Sequence, residues 1–317
     1  MVVVLHGADR PPAMEAVEAL ARVRYTRADG LWSALNGADV LFAWDGRAAG
    51  LEQAWDAADD LRWVHAAGAS VERLLFPGLR DGEVLLTNAR GVFDEPMAEY
   101  VLGLLLAFAK DLPATLRMQQ RRVVAHRETE RLAGSRALVV GTGPIGRAIA
   151  RKLGAAGVVV SGAGRVPRTA DPDFGDVVAT SALREALPRQ DWVVLAAALT
   201  PEHEGLFDRA ALRAMRRTAR LVNVGRGGLV VQADLVDALD AGEIAGAAFD
   251  VFADAPLSPT SPLWDMPNVL ISPHMSGDVV GWREELVRRF QDNLRRYRDG
   301  RPLQNVVDKR RGAARRG

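Results

Sequence analysis

Three glycines follow a short apolar run near the middle of the chain, at the spacing G-x-G-x-x-G. Gly141 permits a tight turn, Gly143 lets a pyrophosphate approach the backbone without an intervening Cβ, and Gly146 allows close packing of the following helix on its strand. The helix would begin at Pro144 and Ile145, and its unpaired N–H groups would face the phosphates. An ordinary strand–helix turn is the alternative. A strand before the glycines and a helix after them favour a dinucleotide site.

Predicted strands alternate with predicted helices along the whole chain, which is typical of parallel α/β folds. Apolar runs in the first part of the chain predict four strands, at residues 2–5, 40–44, 62–65 and 84–88. From about Leu132 onward, similar runs predict further strands, at residues 137–141, 158–161, 177–179, 192–196, 221–224, 247–251 and 269–272. This number of strands suffices for a complete doubly wound sheet around the glycine turn.

Two long helices are predicted in addition. One begins near Glu95 and is apolar over much of its circumference, so we expect it to be buried against another subunit or in an interdomain contact. A two-fold homodimer is the expected assembly. The other helix follows His274, with apolar side chains at helical spacing from Trp282 to Tyr297. We expect it to return to the first sheet and so make the first domain discontinuous.

The composition limits the classes of function. Of the 317 residues, 48% are hydrophobic and 26% are charged, which is typical of a soluble globular protein. The formal net charge of +1 provides no global field that would attract nucleic acid or a membrane surface. The longest apolar window is far shorter than the ~20 residues that span a bilayer. The chain has no cysteine, which excludes disulfides, thiolate metal sites and a cysteine nucleophile. We therefore expect a cytoplasmic protein with no metal, nucleic-acid or membrane partner.

Two further segments identify a family when they are taken together with the glycine turn. Residues 221–228 read Leu-Val-Asn-Val-Gly-Arg-Gly-Gly, and residues 271–274 read Ile-Ser-Pro-His. In this order the three segments resemble the NAD(P)-dependent D-2-hydroxyacid dehydrogenases, and the resemblance covers nearly the whole chain. Residues 273–278, followed by Gly281 and Trp282, are similar to the glyoxylate/hydroxypyruvate reductase-like branch of that family.

The resemblance implies an α/β protein of two Rossmann-like, doubly wound parallel-sheet domains, with the active site in the cleft between them. Residues 1–92 plus 276–317 would form a flavodoxin-like, substrate-binding domain, and residues 93–275 would form the dinucleotide-binding domain. The implied reaction is hydride transfer between a nicotinamide cofactor and a small 2-keto or D-2-hydroxy acid, such as glyoxylate or hydroxypyruvate.

Reduction of a 2-keto acid needs one group that binds the carboxylate and another that protonates the carbonyl oxygen. Arg226 follows a predicted strand, and its guanidinium can bind a carboxylate with two hydrogen bonds and polarise the carbonyl. Gly225 and Gly227 would leave space for the ligand. His274 ends the last predicted strand, where ligands gather in open α/β sheets. Histidine titrates near neutral pH and is therefore the natural proton donor.

The resemblance also assigns residues outside this pair. The loop that contains Ala69 and Ser70 matches the family's substrate loop, whose backbone N–H groups receive the substrate carboxylate. Ser70 stands where the family usually has a glycine. Asp250 ends a predicted strand, and we expect it to contact the nicotinamide carboxamide.

The chain departs from the family at one catalytic position. A glutamate that holds the histidine commonly lies five residues after the position of Asp250, and here that position is Ala255. Asp254 is adjacent, but neighbouring side chains of an extended segment point to opposite sides, so only a local backbone change would direct it at His274. The missing glutamate leaves a second interpretation open, a weakly or non-catalytic NAD(P)-binding sensor on the same fold. Formate oxidation is a third, although Ala255 lacks the amide that would replace the carboxylate.

The segment after the second strand of the dinucleotide domain predicts the cofactor. NAD-dependent enzymes usually place an Asp or Glu there to bind the ribose hydroxyls. This chain has Gly164 at that position, followed by Arg165 and Arg168. Two guanidinium groups would bind a 2′-phosphate that a carboxylate would repel. NADP(H) is therefore the favoured cofactor and NAD(H) a possible one; the alternative is that both arginines are solvated loop charges.

Overall fold

The computed structural model describes residues 1–46, 48–310 and 313–314. Its strands are β1 (Val2–Leu5), β2 (Val23–Thr26), β3 (Val40–Ala43), β4 (Trp63–Ala66), β5 (Leu85–Asn88), β6 (Arg136–Val140), β7 (Val159–Gly164), β8 (Arg168–Asp171), β9 (Gly175–Ala179), β10 (Trp192–Leu195), β11 (Arg220–Asn223), β12 (Gly246–Phe249), β13 (Val269–Ile271), β14 (Val307–Asp308) and β15 (Ala313–Ala314). Its α-helices are α1 (Glu15–Glu18), α2 (Leu31–Leu35), α3 (Pro77–Asp81), α4 (Asp94–Ala109), α5 (Leu112–Gln120), α6 (Pro144–Ala155), α7 (Leu183–Ala186), α8 (Arg209–Ala214), α9 (Gln232–Asp240) and α10 (Trp282–Arg298). Among the helices described, none is both long and apolar enough to cross a membrane.

The chain divides into two compact units. Unit 1 comprises Met1–Val92 and Val279–Gly317, and unit 2 comprises Phe93–Asp278. The chain thus re-enters unit 1 at Val279, where the sequence-based division places the boundary at residue 276.

Unit 1 contains a five-stranded parallel sheet in the order β2-β1-β3-β4-β5. This is the flavodoxin-like order. Strands β1, β3 and β4 are buried along their whole length, as expected for parallel strands covered on both faces. The sequence pattern does not reveal the edge strand β2, because it is only partly buried and directly follows an alanine-rich stretch that resembles a continuing helix.

Helix α10 completes the core of unit 1. The Phe290 ring stacks on Phe42 of β3 with 4.1 Å between ring centroids, and it lies 5.4 Å from the Trp63 ring of β4. Phe290 is fully buried, and burial of an aromatic side chain of this size is a large source of stability. The C-terminal helix is therefore part of this unit although it follows unit 2 in the sequence.

The histidine of β4 belongs to the same core. His65 is fully buried, and its Nδ1 lies 2.7 Å from Thr87 Oγ1. Burial, followed by the positive charge of Arg289, lowers the pKa of His65 to about 3. The imidazole therefore stays neutral at physiological pH, and its position in the core gives it no role as a proton donor.

Unit 2 contains the sheet β13-β12-β11-β10-β6-β7-β9-β8, in which every neighbouring pair is parallel except β8 and β9. Successive side chains of each central strand point to opposite faces and enter two separate core clusters. In β6, for example, Val139 packs with α4 and α6 on one face, and Leu138 and Val140 pack on the other. A doubly wound sheet of this kind positions the loops at the ends of its strands. The two Rossmann-like parallel sheets predicted from the sequence are confirmed.

Candidate functional site

The predicted site residues of unit 2 all lie at one edge of its sheet. The glycine turn follows β6, Gly164 ends β7, Arg226 follows β11, Asp250 follows β12 and His274 follows β13. Because these strands are parallel, their carboxyl ends meet at the same edge, with neighbouring strands ~4.8 Å apart. Strand order reverses between β6 and β10, and ligands of open α/β sheets bind in the crevice at such a reversal.

The three glycines of the turn differ in what a side chain at their positions would meet. Gly141 has φ +108°, and a Cβ there would lie 2.7 Å from the backbone of Ala196. A Cβ on Gly146 would lie 1.8 Å from the carbonyl oxygen of Gly141. A Cβ on Gly143 would meet no protein atom within 4 Å. Two glycines are thus required by the protein's own packing, whereas Gly143 faces open space of the kind a pyrophosphate needs.

The first turn of α6 fits the phosphates of a dinucleotide. Pro144 occupies the first helical position, where a backbone N–H would have no partner within the helix. The N–H groups of Ile145 and Gly146 precede the first intrahelical bond, which Arg147 N donates to Gly143 O at 2.9 Å. The open side of Gly143 and these helix N–H groups are together the features that bind anions in dinucleotide sites.

The end of β7 has no room for an acidic residue in the present packing. A Cβ on Gly164 would come within 2.9 Å of Thr142 Oγ1, so any larger residue would force Thr142 to move. Arg165 follows directly and is exposed. The position that would carry the ribose-binding carboxylate in an NAD site is therefore closed by a side chain of the glycine turn.

Arg168 lies in β8 rather than in a loop, and it is part of an ion-pair cluster. Its Nε donates to Asp171 Oδ2 at 2.7 Å, and the same carboxylate accepts two hydrogen bonds from Arg147 of α6 at 2.9 and 3.0 Å. Hydrogen bonds from Arg147, then from Arg168, hold the pKa of Asp171 well below its usual value although burial opposes them. Asp171 thus fixes Arg168, which the sequence alone could not show because β8 has no recognisable pattern.

Asn223 shapes the loop that carries Arg226. Its side chain accepts a hydrogen bond from Gly225 N at 3.1 Å and donates one to Arg226 O at 3.0 Å. The flanking glycines are required by packing, since a Cβ on Gly225 would lie 2.9 Å from Ala197 O. A Cβ on Gly227 would lie 1.9 Å from the backbone of Phe252. The expectation that these glycines leave space for a ligand is wrong, because protein backbone already fills that space.

Asp250 organises the loop that carries His274. Its carboxylate is almost fully buried and accepts hydrogen bonds from Ser272 Oγ at 2.6 Å and from the N–H groups of Met275 and Ser276 at 2.9 Å each. Burial alone would raise the pKa of Asp250, but the hydrogen bonds from Ser272, Ser276 and Met275 prevail and lower it. The structure therefore reveals a role for Asp250 that the sequence did not indicate. Its contact with a nicotinamide stays a prediction.

His274 lies at the exposed end of this loop in a left-handed backbone conformation, with φ +58°. Ala255 and Asp254 belong to the exposed segment after β12. Within the described residues, no interaction joins Asp254 to His274. The same range contains no group of three or more His, Asp or Glu side chains that could hold a metal ion.

The predicted substrate loop of unit 1 follows β4 and is fixed by Asn88. The Asn88 side chain donates to Ala69 O at 2.6 Å, and Ala89 N donates to Gly68 O at 3.0 Å. Ala69 and Ser70 are partly exposed. Asn88 itself is buried and acts as a structural residue of the loop.

Comparison with known proteins agrees with this geometry. Residues 102–276, more than half of the chain, match the family model described as "D-isomer specific 2-hydroxyacid dehydrogenase, NAD binding domain". The chain belongs to the D-isomer-specific 2-hydroxyacid dehydrogenase family. It is an oxidoreductase fold with a nicotinamide-cofactor domain, as the sequence motifs predicted.

Family members of known structure are similar over almost the whole chain. A D-isomer-specific 2-hydroxyacid dehydrogenase from Xanthobacter autotrophicus, solved with NADPH and MES, is 30% identical with a TM-score of 0.84, over 98% of this chain and 99% of that one. An NADPH-dependent glyoxylate/hydroxypyruvate reductase from Sinorhizobium meliloti, solved with NADP and sulfate, is 28% identical with a TM-score of 0.82, over 98% and 99% of the two chains. A glyoxylate reductase from Korarchaeum cryptofilum is 30% identical over 81% of this chain and 79% of that protein.

The two glycines nearest the start of α6 offer a matched pair of substitutions. Gly143→Ala should leave the free energy of unfolding within ~1 kcal/mol of the wild-type value, because its Cβ meets no protein atom. It should weaken binding of a nicotinamide dinucleotide at least ~10-fold, because the methyl group occupies the phosphate side of the turn. Gly146→Ala should instead destabilise the fold by ~2 kcal/mol or more, through its overlap with Gly141 O.

Denaturant unfolding and fluorescence titration with NADPH measure the two effects separately. Wild-type affinity in Gly143→Ala would contradict a phosphate site at this turn. Equal stability losses in the two variants would contradict the packing of the turn.

Proposed function

We propose that the protein is an NADPH-preferring reductase that converts small 2-keto acids, such as glyoxylate or hydroxypyruvate, into 2-hydroxy acids, of the D configuration where the product is chiral. The observation that carries this proposal is the placement of Arg226 and His274 after β11 and β13, at the sheet edge where the glycine turn also lies. This edge combines a guanidinium group that can bind a carboxylate, an imidazole that can donate a proton and a glycine turn that can bind a dinucleotide. The relative from Sinorhizobium meliloti, an NADPH-dependent glyoxylate/hydroxypyruvate reductase, supports the substrate class.

The cofactor would be held by the glycine turn and the first turn of α6. Gly143 and the N–H groups of Ile145 and Gly146 would receive the pyrophosphate, and Gly141 would keep the turn tight. When bound, the reduced nicotinamide supplies the hydride. Asp250 would support the nicotinamide end, chiefly through the loop that it holds in place.

Arg226 and His274 have separate tasks in the reaction. The guanidinium of Arg226 would bind the substrate carboxylate and draw electron density from the neighbouring carbonyl, which makes its carbon a better hydride acceptor. Protonated His274 would donate its proton to the carbonyl oxygen as the carbon accepts the hydride. The 2-keto acid gains one hydride and one proton and leaves as the 2-hydroxy acid. Ala69 and Ser70 are proposed as further donors to the substrate carboxylate, on the sequence resemblance.

The preference for NADPH rests on charge at the end of β7. Arg165 is exposed there, and Arg168 is held by Asp171, a carboxylate that also binds Arg147. Asp173 also binds Arg147, so two carboxylates balance the two guanidinium groups of this cluster, and the exposed Arg165 is the residue that would chiefly attract a 2′-phosphate. NAD(H) remains a usable cofactor in this proposal, because the pyrophosphate site does not depend on these arginines.

A homodimer is part of the proposal. The face of α4 that packs in unit 2 contains Ala98, Val101, Leu105 and Ala109. Leu106 of α4 and Leu112 and Leu116 of α5 are exposed. Exposed apolar side chains on consecutive helices are typical of protein–protein interfaces, and a second copy of the chain is the partner we propose. The cytoplasmic location stays a prediction.

The alternative is a cofactor-binding sensor with little or no turnover. Ala255, which stands where the family commonly has glutamate, is the observation that favours it. The presence of both Arg226 and His274 favours the reductase.

The decisive assay is oxidation of NADPH and NADH with glyoxylate, hydroxypyruvate and pyruvate at pH 5.5 and 7.5. We expect turnover with at least one of these acids. Arg226→Gln should lower kcat/KM ~100-fold or more, because loss of one donor to a developing oxyanion has effects of that size. Arg189→Gln, an exposed arginine of the same unit, should have wild-type rates. Tight NADPH binding without turnover on any 2-keto acid would favour the sensor.

The preference for NADPH can be tested by substitution of Arg165, with binding of NADH as the internal control. Arg165→Ala should raise the Kd for NADPH ~10-fold, because a charge-assisted hydrogen bond is worth ~1.5–3 kcal/mol. The Kd for NADH should not change, since that cofactor lacks the 2′-phosphate. Isothermal titration calorimetry measures both constants. If Arg165→Ala and Arg168→Ala each weaken both cofactors equally, the arginines do not recognise the 2′-phosphate.

A further inference from the structure

The side chain of Thr142, between the first two glycines of the turn, packs against the end of β7. A Cβ on Gly164 would lie 2.9 Å from Thr142 Oγ1 and 3.3 Å from Thr142 Cγ2. A Cβ on Gly162 would lie 3.2 Å from the same Cγ2. Because Gly162 and Gly164 are two positions apart in β7, they lie on one face of the strand. Thr142 therefore covers this face, and its hydroxyl group lies beside the last residue of the strand.

The packing holds the Thr142 side chain in one orientation. Threonine is branched at Cβ, which restricts rotation about χ1, and here both of its branches face β7. The side chain is partly exposed. Its hydroxyl group has no hydrogen-bond partner within residues 1–46, 48–310 and 313–314. The structure thus places an accessible hydroxyl group with unused hydrogen-bonding capacity beside Gly164.

This position is the one at which a dinucleotide site contacts the adenosine ribose. In such sites, the residue that ends the second strand binds the ribose 2′-hydroxyl, or an arginine nearby accommodates a 2′-phosphate. Here that residue is Gly164, which has no side chain, and the exposed Arg165 follows it. An ionised carboxylate can only accept hydrogen bonds, whereas a threonine hydroxyl can donate one to a phosphate oxygen. The hydroxyl group of Thr142 and the guanidinium group of Arg165 therefore both suit a 2′-phosphate.

We propose that Thr142 donates a hydrogen bond to the 2′-phosphate of NADPH and is a specificity-determining residue for the cofactor. This inference rests on the proposed function, in which NADPH is the preferred cofactor. A hydrogen bond to a charged phosphate contributes more to binding than one between two neutral hydroxyl groups. The 2′-hydroxyl of NADH can form only the weaker kind with Thr142. The contact with Thr142 therefore adds to the preference that Arg165 provides.

Thr142→Val removes the hydroxyl group and keeps the branched shape that packs on β7. We expect the Kd for NADPH to rise ~10-fold and the Kd for NADH to change less than ~3-fold, as measured by isothermal titration calorimetry. Thr142→Ser keeps the donor and should bind NADPH within ~3-fold of the wild type. Thr218→Val is the matched control, an exposed threonine before β11 and so at the opposite edge of the sheet, and should leave both constants unchanged.

The contact that positions the hydroxyl group can be tested without any ligand. Gly164→Ala should lower the melting temperature by ~3 °C or more, because its Cβ would overlap Thr142 Oγ1. In a Thr142→Ala background, which lacks both Oγ1 and Cγ2, the same substitution should lower it by less than half as much. Equal losses in the two backgrounds would overturn the placement of the hydroxyl group and the proposal with it.

Fragments of the cofactor separate this proposal from the proposed function, because they carry no nicotinamide. Adenosine 2′,5′-bisphosphate has the 2′-phosphate and adenosine 5′-monophosphate lacks it. Thr142→Val should weaken binding of the bisphosphate ~10-fold and of the monophosphate less than ~3-fold. If the wild type does not prefer NADPH but the variant still weakens bisphosphate binding, the preference in the proposed function fails and the Thr142 contact stands. If wild type and variant bind the bisphosphate equally, the contact is refuted whichever cofactor the enzyme uses.

Discussion

A single buried carboxylate, that of Asp250, holds together the part of the site where proton transfer would occur. It follows β12 directly and binds the loop after β13 through one hydroxyl and two backbone N–H groups. Removal of a carboxylate from water is unfavourable unless hydrogen bonds replace the water, and three of them here keep the group ionised. The same bonds fix the backbone on both sides of Met275. The backbone that follows His274 is therefore held in place by this one carboxylate.

The rest of the site follows from the parallel sheet. Parallel strands place all their carboxyl ends at one edge, so residues far apart in the sequence converge without long-range pairing of their own. Gly141 and Arg226 are 85 positions apart in the numbering, yet only β10 separates the strands that precede them. Buried side chains then refine each loop: Asn223 shapes the Arg226 loop, and Asp171 fixes Arg168. The polar groups of the site are therefore positioned by residues that do not themselves react.

The sequence predicted the parts of this molecule that have strong local signals. The glycine turn, the parallel strands and the family were recognisable because glycine spacing and apolar runs reflect backbone geometry directly. Strands β2 and β8 were not, because one is a partly buried edge strand and the other pairs by an irregular register. The role of Asp250 depends on contacts with a segment that is distant in the sequence. That of Asn223 depends on the local turn of its own loop. Gly225 and Gly227 were recognised as important for the wrong reason, because the backbone that approaches them comes from other loops.

Hydrogen exchange at the amides of Met275 and Ser276 is the most direct measurement of whether Asp250 holds the His274 loop. In Asp250→Asn at least one of the three donors would face an amide N–H instead of a carboxylate oxygen, and an unsatisfied buried donor costs ~1–3 kcal/mol. We therefore expect these two amides to exchange ~10-fold faster or more in the variant, with unchanged exchange in β6 and α6. Equal exchange in the two proteins, or the same acceleration throughout unit 2, would contradict a loop held by this carboxylate.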